Sequence, residues 1–140
     1  MKLIFTILSM VLGIGYTQNI DKTITVILIG VENTRGTLIV NLYNTSSGFP
    51  TDMTKALQSK KLLASAPLLQ VNFTAPNGNY DISVMHDENN NEKMDKNFFG
   101  IPAEGYCVSN NAKGFMSAPS FSDAKFELKT NITQTLKLIY

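Results

Sequence analysis

The chain has one cysteine, one histidine and no tryptophan in 140 residues. A lone thiol, Cys107, closes no disulfide within the chain, so packing must hold the fold together. A small buried hydrophobe is its expected role. One imidazole and one distant thiol do not make a zinc ligand set, which leaves His86 to structure or proton transfer. Net charge is only +1, and Lys55, Lys60, Lys61, Lys125 and Lys137 are scattered. Nothing in that balance points to nucleic acid or an acidic membrane surface as partner. Repeats and low-complexity tracts are missing too, and the length suits a single domain.

What is present begins with an address. Met1-Lys2 supplies a positive start and Leu3 to Gly15 an uncharged apolar run. Gly15-Tyr16-Thr17 then puts small residues at the −3 and −1 positions of a cut before Gln18. Residues 1–17 are therefore expected to be a secretory signal peptide, too short and too poorly flanked to anchor in a membrane. The mature chain, 18–140, is expected outside the cytoplasm, periplasmic or extracellular.

Short alternating runs come next. Thr23 to Ile29 is rich in β-branched residues, and Leu38, Val40 and Leu42 share one face of a second run, Thr37 to Tyr43. The face carrying Thr37 and Asn41 is expected to meet water or an edge. Asn44 to Pro50 is a loop by composition, and Thr51 is placed to cap a short crossover helix over Asp52 to about Ser59. Leu62 to Ala66 reads as an edge strand. Leu69, Val71 and Phe73 alternate before Asn77-Gly78, and Tyr80, Ile82 and Val84 after it, which predicts a β-hairpin from Phe73 to Val84. Residues 97–120 show no period and carry five Gly and Pro residues, as expected of a loop that is functional or organised by something else. Two strands, around Ala124–Lys129 and Thr135–Tyr140, close the chain with a turn at Thr130-Asn131. About seven short strands and one crossover helix predict an all-β, antiparallel two-sheet sandwich.

The densest chemistry lies between His86 and Asp95. Asp87, Asn89, Asn91 and Asp95 occupy positions 1, 3, 5 and 9 of a compact loop, with the Lys93 carbonyl free to supply position 7. Oxygens at that spacing can wrap a hard cation, so calcium is the expected cofactor. Position 6 is Glu92 where the motif wants glycine, and position 12 is Phe98 where it wants glutamate. With two charged side-chain ligands, affinity in the weak extracellular range is expected, on the order of 10⁻⁴ to 10⁻³ M or weaker. The alternative is a solvated turn in which Asn and Asp side chains bond their own backbone.

Catalytic sets can be assembled only in part. His86, Cys107 and Ser109 lack a nucleophile-elbow frame, and Glu104 with His86 or Asp87 is the remaining acid–base option. No constellation is complete, so a non-enzymatic domain is expected. Phe98, Phe99, Tyr106 and Phe115 offer aromatics for a platform, although loop aromatics often tuck back. Asn44, Asn72 and Asn131 stand in Asn-x-Ser/Thr sequons.

Asn77-Gly78-Asn79-Tyr80, His86-Asp87-Glu88-Asn89-Asn90-Asn91 and Asn97-Phe98-Phe99-Gly100-Ile101-Pro102-Ala103-Glu104-Gly105-Tyr106 together resemble the domain of unknown function 2141 family of exported bacterial proteins. Ser109-Asn110-Asn111-Ala112 and Phe121-Ser122-Asp123-Ala124-Lys125-Phe126 extend the likeness. Glu92 and Cys107 stand where that family usually has glycine. The resemblance implies an immunoglobulin-like or transthyretin-like sandwich and no established activity. The expected function is an exported binding domain whose loop holds calcium through Asp87, Asn89, Asn91, Lys93 and Asp95. His86, Glu104, Tyr106, Ser109 and Asn110 are expected to face a ligand or partner, such as an envelope protein, peptide or glycan. A purely structural envelope module without metal is the alternative.

Overall fold

Alternation in Lys22–Ile29 (β1) puts Ile24, Val26 and Leu28 on one face, and all three are wholly buried. The computed structural model describes residues 18–65 and 68–140; the expected leader lies outside the described residues. Thr37–Tyr43 (β2), Gln58–Leu63 (β3), Leu68–Ala75 (β4) and Gly78–Asp87 (β5) come next. Tyr106–Val108 (β6), a four-residue helix Phe121–Ala124 (α1), Phe126–Leu128 (β7) and Ile132–Lys137 (β8) complete the order.

These strands form the all-β, two-sheet sandwich that the alternation predicts. One sheet runs β4-β1-β8, and the other runs β3-β2-β5-β6 with β7 also on β5. Between them lies one apolar core, including Ile24, Val26 and Leu28 from β1, Leu38, Val40 and Leu42 from β2, and Phe73, Tyr80, Ile82 and Leu136. Burying that surface is the dominant favourable contribution to folding. Pairing is antiparallel except for β1 with β8, which run parallel.

Three local expectations give way to tertiary structure. The crossover helix over 52–59 shrinks to one 3₁₀ turn, Met53–Lys55, capped by the Asp52 carboxylate instead of Thr51. Gln58 and Ser59 are drawn into β3 because β2 needs a partner on that edge. The Phe73–Val84 hairpin does not form: β4 pairs with β1 and β5 with β2, so Pro76 and Asn77 carry the chain between sheets. An Asn-Gly step is compatible with a hairpin turn, but the apolar faces of both strands are buried better against opposite sheets. The closing strands also part company, β7 joining β5 while β8 joins β1, and Asn131 Oδ1 accepts from Thr23 N at 2.9 Å.

The second sheet is covered on both sides. Ile39, Asn41 and Tyr43 of β2 and Asp81, Ser83 and Asp87 of β5 point away from the core, yet all are buried. This corrects the expectation that the Asn41 face meets water or an edge. Phe49 stacks edge-on against Tyr43 at 5.5 Å and against Phe121 at 6.0 Å, which drapes the 44–57 and 109–124 segments over that face. Among the described residues, no helix is long and apolar enough to cross a membrane.

Candidate functional site

The Asp/Asn loop leaves the end of β5 where Gly36 lies directly beneath it. Gly36 has φ +64°, and a Cβ there would collide with the Asp87 carbonyl, so glycine is required on two grounds. Asp87 is wholly buried and caps the loop from below. Its two carboxylate oxygens accept from Asn91 N at 3.0 Å and Glu92 N at 2.8 Å. Asn89 Oδ1 accepts from Asn91 N at 3.1 Å and Asn91 Oδ1 from Lys93 N at 2.9 Å, the Asx pattern that bends a backbone on itself. Asn90 and Glu92 take left-handed φ values of 59° and 60°. Asparagine adopts that region readily, and Glu92 does so under the hold of Asp87.

The side chains at positions 3, 5 and 9 meet at one point. Asn89 Nδ2 donates to Asp95 Oδ2 at 2.6 Å, and Asn91 Nδ2 to Asp95 Oδ1 at 3.0 Å. Four of the five residues expected to hold the cation are therefore gathered by hydrogen bonds, with Lys93 joining through its amide. Among the described residues, no group of three or more His, Cys, Asp or Glu side chains is clustered to hold a metal. A cation here would depend on the asparagine oxygens.

Glu104 binds this loop to the segment after it. Its carboxylate is buried and accepts from Glu88 N at 2.9 Å and Asp95 N at 3.2 Å, while Ala103 N donates to Asp95 O at 2.8 Å. Ion pairs of Arg35, in the β1–β2 loop, with Glu88 and of Lys61, on β3, with Glu92 add support.

The ligand-facing set is divided by burial. His86 lies inside, its Nε2 donating to the Arg35 carbonyl at 2.7 Å and its Nδ1 accepting from the Tyr140 hydroxyl at 2.6 Å. A carbonyl can only accept, which determines the tautomer. Ser109 is also buried: its Oγ accepts from Ile82 N at 2.9 Å and donates to the Ala124 carbonyl at 2.6 Å. Ile82 sits between the stretches of β5 paired to β7 and to β6, so Ser109 closes that break in the ladder. Burial pushes the Cys107 thiol up to about 12. His86, Glu104 and Ser109 are thus buried and engaged in hydrogen bonds within the fold.

Tyr106 and Asn110 do reach the surface. Asn110 Nδ2 donates to the Ala124 and Lys125 carbonyls. Tyr106 pairs with Ile139, joining the two sheets at a corner, and lines a 370 Å³ groove with Asn111, Lys113 and Lys137. The aromatics divide as well. Phe98, Phe99 and Phe115 do not tuck back; they are 97%, 82% and 89% exposed. Asn111 has no periodic neighbour to mark it in the sequence, and its role emerges only here. Its amide donates to Thr135 O at 2.9 Å and accepts from Lys137 N at 2.8 Å, sealing the open edge of β8.

A two-sheet β-sandwich with an Asp/Asn loop welded to a protruding segment is the class that this geometry defines. The chain belongs to the domain of unknown function 2141 family, described as an uncharacterized protein conserved in bacteria, which matches residues 26–135. No curated protein and no solved structure gives a significant match.

Proposed function

We propose that this protein is an exported, non-enzymatic binding domain in which the 87–95 loop is a weak calcium-type site. It stiffens the segment from residue 97 onward against a component of the cell envelope. The observation that carries this reading is the pair of bonds from the buried Glu104 carboxylate to Glu88 N and Asp95 N. They make the Asp/Asn loop a foundation for the segment that begins at residue 97. The gathering of Asn89 and Asn91 around the Asp95 carboxylate supports the cation, because a turn of either amide would bring its oxygen beside those of Asp95. The engagement of His86, Glu104 and Ser109 by structural hydrogen bonds supports the non-enzymatic reading, since none keeps a free group for proton transfer or attack.

Titration calorimetry with calcium chloride, and melts in calcium against a chelator, test the cation. Heat at millimolar calcium and a raised melting temperature are expected, both lost in Asp95→Ala. No heat and an unchanged melt would remove calcium from the reading. A second reading, a purely structural module, is favoured by the complete pairing of Asp87 and Asp95 within the chain. It requires Asp87→Ala to cost the same stability in calcium and in chelator.

A further inference from the structure

Residues 96–102 form a small closed projection. Lys96 bridges to Pro102, Asn97 N donates to Ile101 O at 2.9 Å, and Gly100 N to Asn97 O at 2.9 Å. Inside the turn, Asn97 Oδ1 accepts from Phe99 N at 2.9 Å and Ile101 N at 3.1 Å. Gly100 takes φ +75°, and nothing lies within 4 Å of a Cβ built on it. At the apex Phe98 and Phe99 stack edge to face at 5.5 Å, with Ile101 57% exposed beside them. Every residue from Lys96 to Ile101 is exposed. These bonds and the bridge hold three apolar side chains in water, when exposed apolar clusters ordinarily mark a contact surface.

Lys93 and Lys96 are the basic residues that precede the apex in the chain. Among the described residues Lys93 and Lys96 make no ion pair. The nearby acids are already engaged: Glu88 by Arg35, Glu92 by Lys61, Asp95 by two asparagine amides, and Glu104 by two backbone N–H groups. An aromatic apex flanked by unpaired lysines matches a bilayer interface, where rings sit among headgroups and cations attract anionic lipid. A convex projection also suits a fluid that conforms to it better than a preformed protein pocket.

We infer that the Phe98–Phe99 apex inserts into the interface of a bilayer containing anionic lipid, with Lys93 and Lys96 on its headgroups. The contact is peripheral, made by a loop tip and by no spanning element. The inference rests on the proposed function, in which this end of the domain faces the envelope, and it does not require calcium.

The chain has no tryptophan, so Phe99→Trp gives a single reporter at the apex. With vesicles of phosphatidylglycerol and phosphatidylcholine in low salt, a blue shift of its emission and co-sedimentation of the protein are expected. Phe98→Ser with Phe99→Ser should weaken sedimentation at least tenfold with the melting temperature unchanged, because both rings lie outside the core. Lys93→Gln with Lys96→Gln should weaken it several-fold and reduce its dependence on salt. No blue shift, equal binding to pure phosphatidylcholine, or undiminished binding by the serine variant would each overturn the inference. In that case the apex belongs to a protein or glycan partner. Calcium calorimetry without vesicles reads the 87–95 loop alone, so failure of the lipid contact and failure of the calcium site are told apart.

Discussion

Asp81 on β5 stands directly across the ladder from Tyr43 on β2, and the polar atoms of both are sealed from solvent without a hydrogen-bond partner. The pair lies on the outer face of the second sheet, beneath the cover that Phe49 and Phe121 provide. Burial raises the Tyr43 phenol above its ordinary value. The Asp81 carboxyl is raised by burial to about 7, against a smaller opposing pull from Lys125. An acid with a higher pKa folded than unfolded binds its proton more tightly in the native state. The contribution of Asp81 to stability therefore falls as pH rises from the unfolded value near 4 to about 7, and is constant above that.

Asp81→Asn keeps the shape and removes the charge. It should stabilise the protein at pH 8 by about 1–3 kcal/mol, because a buried charge is replaced by a neutral amide, and by much less at pH 4, where the folded carboxyl is already neutral. Urea midpoints at the two pH values read the difference directly. An equal gain at both would show that the carboxylate carries no such penalty.

Tyr140 holds His86 from the far end of the chain, and Gly105 leaves it room. Tyr140→Phe should cost about 1–2 kcal/mol by stranding the buried Nδ1 acceptor. A Cβ on Gly105 would stand 2.5 Å from the Tyr140 ring, so Gly105→Ala should displace that ring and break the same bond. The two substitutions share one interaction. In a double-mutant cycle their costs should fall short of additivity by about 0.5 kcal/mol or more.

Asp87 secures two backbone donors from a fully buried position. Asp87→Ala should cost about 2–4 kcal/mol, since hydrogen bonds to charged groups contribute roughly 1.5–3 kcal/mol each and are not additive. Amide exchange at Asn91 and Glu92 should accelerate more than at the β5 core. A variant with unchanged protection at those two amides would show that the Asn side chains alone shape the loop.

Asn111 stands in for a missing strand beside β8. Asn111→Ala should lower stability by about 1–2 kcal/mol, because two backbone groups lose partners and alanine tolerates the φ of 47° less well. The Lys137 amide should lose exchange protection while Leu136 is little changed. Concentration-dependent association is the second readout, since a bare strand edge pairs with other chains.

The expected strands of the sandwich arise from period-two alternation in β1, β4 and β5, and one apolar face per strand requires two sheets. The asparagine and aspartate spacing from 87 to 95 likewise marked a loop that closes on itself, since Asx turns are made within a few residues. The role of Glu104 was not legible. It stands sixteen residues from the amide of Glu88 that it binds, and nothing local distinguishes a buried carboxylate from an exposed one. The bonds of Ser109 were hidden for the same reason, because a gap between two short strands exists only once both have docked on β5.

Local sequence determined which segments are extended, where the chain turns and which residues cluster near Asp87, because these depend on neighbours a few positions apart. Tertiary structure decided strand partners, the parallel β1–β8 pairing, the burial of Asp81 and the exposure of Phe98 and Phe99. Those outcomes depend on contacts between residues far apart in the chain, where burial of whole faces outweighs the preference of any single turn.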